Sequence, residues 1–188
     1  RSIPEVWISQ TTEPELESKR VTETLMGVKV LAPVVGQRYT RNNIKIEVIA
    51  TAPNTSPNDS SIAVLANISG ITLFAAGDLE LAGQARALAI LKRTSFGDLW
   101  NRTPIDVMKG IHHGSALQLP ELVEYLRPRV TLFSVGAENP YGHPSTSALD
   151  LYGRFGRVYR TDKDQSIVLA KRSGSLIVIK APHSPWAL

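Results

Sequence analysis

The sequence predicts an α/β fold built on a mixed sheet. Three observations carry that prediction. Short apolar, β-rich runs alternate with helix-like segments through the second half of the chain. Two such runs, "SIAVLAN" and "ITLFAAG", are joined only by "ISG", as a hairpin requires. The chain also opens with strand, helix and strand in about 30 residues, the unit that favours parallel pairing.

In order, "EVWIS" (5–9) is a short strand. "EPELESKRVTETLMG" (13–27) is a helix, with Pro14 in its first turn, Leu16, Val21 and Leu25 at nearly helical spacing, and Gly27 as its cap. "VKVLAP" returns as a strand, and "NIKIEVIATA" (43–52) alternates polar and apolar residues with the two-residue period of a half-buried strand. After the loop "PNTSPNDS" comes the hairpin, whose second arm ends at "GDLE" and so places Asp78 at a strand terminus. A helix over 80–93 follows, then the strand "PIDVMKG", which delivers His112 and His113. The remainder reads as helix "PELVEYLRP", strand "VTLFSVG", a loop and helix in "GHPSTSALDLYGRFG", and closing strands "RVYRT", "SIVLAKR" and "SLIVIKA". Residues from about 181 to 188 read as a tail.

The 188 residues, 43% of them hydrophobic, suit one domain with a real core. The longest apolar runs are strand length, well short of the roughly 18–20 residues of a membrane span. The absence of cysteine excludes disulfides and thiolate metal sites, leaving His, Asp and Glu as metal ligands. A net charge of +4 allows an anionic partner, and arginines gather at Arg154, Arg157 and Arg160. The start, "RSIPEVWIS", has neither an initiator Met nor a signal-type apolar segment, and is expected to be the interior of a longer polypeptide.

Three polar sites follow strand-like segments: Asp78, the pair His112 and His113, and His143. Side chains presented from strand ends of an α/β sheet can converge on one ligand. A carboxylate with imidazoles suits Zn²⁺ or Mn²⁺, which polarise phosphoryl or acyl oxygens and make hydroxide available at neutral pH. Each residue also has an ordinary role open to it. Asp78 precedes a helix and can serve as its N-cap, the two histidines can be a satisfied turn pair, and His143 can be structural in a Gly-Pro loop.

The order and flanks of these segments resemble a known family. "NDSSIAVLANISGITLFAAGDLE", "IDVMKGIHHGS", "LRPRVTLFSVGAENPYGHPS" and "GRVYRTDKDQSIVL" are similar to the C-terminal metallo-β-lactamase-type domain of the ComEC family of DNA-uptake channel proteins, from about Val6 to Val168. That resemblance implies a four-layer αββα sandwich, of which this chain is the larger, C-terminal part. It implies a divalent metal, Zn²⁺ or Mn²⁺, held by Asp78 and His113 with His112 as neighbour or further ligand, and His143 placed to contact a scissile phosphate or act as general acid. "NDSS" (58–61) is expected to hold the strand and loop beneath the metals. "RTDKDQSI" has Gln165 where the family usually has Gly.

The superfamily's main metal motif, His-x-His-x-Asp-His, has no counterpart, since no His precedes His112. The expectation is therefore a domain truncated at its N-terminus by about 70–100 residues, with too few ligands for tight metal binding or hydrolysis on its own. Exposed apolar sheet surface would then invite homo-oligomers or pairing with the missing half-domain or the membrane channel part. The parent reading is a cell-surface DNA phosphodiesterase in competence, in a membrane protein with this domain extracytoplasmic. The alternatives are a non-catalytic remnant or DNA- or partner-binding module, and a superfamily hydrolase acting on a small ester or lactone.

Overall fold

The computed structural model describes residues 3, 5–11, 14–53, 55–101 and 104–181. Its centre is a seven-stranded sheet in the order β3-β4-β5-β6-β7-β8-β9, formed by Arg38–Arg41, Ile44–Ala50, Ala63–Ile68, Ile71–Ala75, Val107–Lys109, Val130–Phe133 and Arg157–Arg160. β3 to β6 run antiparallel, and β6 to β9 run parallel. The parallel half follows from its connections: α2 (Leu81–Arg93), α3 (Pro120–Leu126) and α4 (Thr146–Gly153) each return the chain to the same end of the sheet. The "ISG" hairpin turns on Ser69 and Gly70, both at positive φ.

One sheet face and these helices enclose the core, where Ile49, Leu65, Phe74, Met108, Phe133 and Tyr152 are fully buried against Leu88, Leu91, Leu122 and Leu126. The hairpin of β10 (Ser166–Arg172) and β11 (Ser175–Ala181) lies towards the other face, with Lys180 over the Tyr159 ring. Asp106 anchors that hairpin. Its carboxylate accepts from the Thr72 N–H and hydroxyl and from Lys171 Nζ, which also donates to the Gly70 carbonyl. Val168, Ile177 and Ile179 of the hairpin remain exposed.

β1 (Glu5–Trp7) and β2 (Lys29–Leu31) pair in parallel around α1 (Glu15–Thr24), as the opening segment predicts. α1 differs from expectation in two respects. It buries no residue, so Leu16 and Val21 face solvent, and its cap is Leu25 rather than Gly27. β3 and the short helix α5 (Thr161–Asp164) have no counterpart in the sequence reading; "RYTR" carries too little apolar periodicity to announce a strand. Ala181 ends β11, and the rest of the expected tail lies outside the described residues.

Candidate metal and phosphate site

Asp78 leaves the end of β6 with its carboxylate free for other work, because a different residue caps α2. Asp59 Oδ1 accepts the N–H groups of Glu80 and Gly83, at 3.0 and 3.1 Å, from outside the helix. The residue at the cap position, Glu80, makes no side-chain capping bond. Ser61, from the same "NDSS" element, packs against Gly77 so closely that a Cβ there would sit 2.7 Å from its hydroxyl oxygen, which accepts the Asp78 N–H at 3.1 Å. The element thus holds the loop beneath Asp78, as expected of it.

"IHHG" folds as a one-turn 3-10 segment (Ile111–Gly114) after β7, with His112, His113 and Gly114 successively at φ 46°, 53° and 85°. Consecutive left-handed residues reverse the chain and send the two imidazoles apart. His113 turns to Asp78, with Nε2 3.4 Å from Oδ1. His112 turns to His143, the ring centroids 5.8 Å apart. Gly114 allows the third loop to close on the turn, since a Cβ there would meet Pro144 at 2.4 Å. The Ser145 N–H donates to its carbonyl.

The four residues singled out in the sequence therefore meet at the C-terminal ends of β6, β7 and β8. The histidines are not a self-satisfied pair. The His113 Nδ1–H donates to the Ser134 carbonyl at 2.5 Å, which in the neutral ring leaves the Nε2 lone pair facing a carboxylate oxygen. Two acceptors in that position attract only through a proton or a cation between them. His112 Nδ1 is buried with no hydrogen-bond partner. Burial, then the charges of His112 and His113, hold His143 below the ordinary histidine pKa, against the pull of Asp78.

The geometry suits a divalent ion. Zinc bonds of about 2.0–2.2 Å at a tetrahedral angle set neighbouring ligand atoms roughly 3.3–3.5 Å apart, and the Asp78–His113 separation of 3.4 Å matches that edge. A ring nitrogen fixed by a backbone carbonyl is the usual support of a ligating histidine. These are two vertices; among the described residues no three His, Cys, Asp or Glu side chains converge as a metal-holding group.

Sequence reasoning missed three contributors. Lys109, the last residue of β7, brings its Nζ within 4.0 Å of Asp78 Oδ1; burial lowers its pKa and Asp78 opposes the shift. Its signal was a lysine closing an otherwise apolar strand. Asn139 clasps the His143 backbone, accepting its N–H at 3.0 Å and donating to its carbonyl at 2.8 Å. Tyr141 stacks on the His143 ring. The arginines divide differently from expectation. Arg160 is bound bidentately to Asp162, while Arg154 and Arg157 line a groove of about 730 Å³ with Arg129, at the end of β8 and β9 away from the histidines.

No protein-family model matches the chain. Over 114 residues, 60% of the chain, it is 31% identical to ComE operon protein 3 of Bacillus subtilis (strain 168), and it spans 14% of that protein's length. Among solved structures it is similar to Igni18, a novel metallo hydrolase from Ignicoccus hospitalis (12% identity, TM-score 0.46, 95% of this chain and 80% of that one). It is also similar to a crystal structure from Thermotoga maritima described as a putative Zn-dependent hydrolase of the metallo-β-lactamase superfamily (15% identity, TM-score 0.37, 84% and 81%). Among the described residues no helix is long and apolar enough to cross a membrane.

Proposed function

We propose, for a chain 31% identical to ComE operon protein 3 over 60% of its length, that the strand-end cluster is part of a metal-dependent phosphodiesterase site acting on DNA during uptake. The observation that carries this reading is the Asp78–His113 pair, held at a ligand-to-ligand distance with the far nitrogen of His113 fixed on a carbonyl.

Asp78 and His113 would hold the ion, and a bound Zn²⁺ or Mn²⁺ supplies Lewis acidity and hydroxide near neutral pH. His143, whose pKa burial lowers, would as the neutral ring hydrogen-bond a phosphate oxygen, and only in its protonated form could it pass a proton to a leaving alkoxide. Lys109 supplies a fixed positive charge on the Asp78 side, where negative charge accumulates during attack on phosphorus. Further ligands to the ion would have to come from water, substrate oxygen or other groups.

Elemental analysis and Mn²⁺ and Zn²⁺ titration of the chain, of Asp78→Ala and of His113→Ala test the reading, with DNA cleavage assayed in parallel. Bound ion in the wild type that weakens by at least about tenfold in both variants is the expected result. Equal binding by all three proteins overturns it. A second reading, a non-catalytic DNA- or partner-binding module, is favoured by the lack of a third converging ligand among the described residues. Salt-dependent DNA binding that survives Asp78→Ala without metal uptake would select it.

A further inference from the structure

We propose that the pocket beside His113 and His143 binds a planar ring, the nucleobase next to the phosphodiester, against the exposed face of Tyr141. The inference rests on the nucleic-acid reading above and adds to it the group that grips the substrate outside the reacting atoms.

The pocket has a volume of about 460 Å³ and is lined by His113, Val135, Gly136, Asn139, Tyr141 and His143 among others. That lies within the roughly 300–1,000 Å³ of small-ligand sites. It opens directly beside the candidate ligand His113, so a phosphodiester at that histidine would bring its adjoining nucleoside there. Tyr141 is 80% exposed, the most open large hydrophobic side chain among the described residues. Its ring lies nearly parallel to His143, 19° between planes and 6.0 Å between centroids, leaving the other face to solvent.

The loop that carries this ring is pinned at several points. Thr161 Oγ1 accepts the Val135 N–H and donates to the Val135 carbonyl, Asn139 clasps His143 on both sides, and Ser145 is tied to Gly114. A stacking surface on a fixed loop loses little conformational entropy when a ring settles on it.

Several polar groups around the pocket are already committed. The Ser134 carbonyl is taken by His113, the Gly136 carbonyl accepts from Asn139, and the Asn139 amide uses its oxygen and nitrogen on the loop itself. Beside them Tyr141 offers an exposed ring face. The pocket therefore grips a base by its face and discriminates poorly among base edges, as sequence-tolerant stacking platforms do.

The test uses the full chain in EDTA, where no cleavage occurs and the outcome does not depend on metal binding. Affinity for a dye-labelled oligothymidylate is compared, by anisotropy over a range of salt, with that for a tetrahydrofuran-spacer oligomer of equal length, which has the phosphates but no bases. Tyr141→Ala is expected to weaken thymidylate binding about tenfold while leaving the base-free oligomer's affinity and salt slope unchanged. Tyr141→Trp is expected to restore binding, with its new indole fluorescence quenched by the thymidylate. Equal loss for both oligomers, no loss for either, or no thymidylate binding by the wild type overturns the proposal. If metal uptake and its loss in His113→Ala persist in that case, the base pocket falls and the hydrolase reading stands.

Discussion

The backbone N–H of His112 donates to the carbonyl of Gly77 across 3.0 Å. This bond joins the turn after β7 to the residue beside Asp78, so the distance between Asp78 and His113 is set by main chain rather than by attraction between their side chains. Asp78→Asn should accordingly leave the fold intact, changing unfolding free energy by no more than about 0.5 kcal/mol. Urea denaturation of the two proteins checks this. A loss above about 1.5 kcal/mol would make the carboxylate part of the scaffold.

Asp59 carries the structural duty that Asp78 does not. Asp59→Ala strips the first turn of α2 of its acceptor for the Glu80 and Gly83 N–H groups and should cost about 1–2 kcal/mol. Faster hydrogen exchange at Glu80 and Gly83 should accompany the loss. Unchanged exchange there would mean that another group caps the helix.

Gln165 sits at φ 59°, ψ −131° after α5, a conformation in which a side chain is strained. Gln165→Gly relieves that strain and should stabilise the chain by roughly 0.5–1 kcal/mol, net of glycine's greater freedom when unfolded. A lower thermal midpoint in Gln165→Gly would show that the glutamine side chain contributes more than its backbone costs.

His143 should titrate below 6.5, the ordinary histidine value, because burial disfavours its charged form and His112 and His113 add to that effect. The unfolded chain then takes up this proton more readily than the folded one. The group leaves stability unaffected above about pH 6.5 and lowers it as pH falls through that value. NMR titration of the ring protons in wild type and His112→Ala measures it. Removing His112 should raise the midpoint only in part, since burial is the larger cause, and a wild-type midpoint at or above 6.5 would refute the assignment.

Much of this molecule was legible in its residues. "SIAVLANISGITLFAAG" could hardly be anything but a hairpin, and the strand ends at Asp78, His112, His113 and His143 are where the site assembles. The less legible parts depended on which partner a side chain meets in the fold. Asp59 reaches 24 residues to cap α2, Lys109 acquires meaning from Asp78, and Arg160 is neutralised by a neighbour whose choice among nearby charges no pattern reveals. α1 has helical spacing and buries nothing, because periodicity states which face could be covered and not whether anything covers it.

The left-handed backbone at His112 and His113 bears on how such a turn is kept. Both positions would be more comfortable as glycine or asparagine, so drift towards stability alone would erase the imidazoles, and a sequence under no demand but folding should lose them early. Their presence side by side sets a trade between robustness and chemistry at one turn of the chain. A library randomised at these two codons and sorted only for folded protein should therefore enrich glycine and asparagine over histidine.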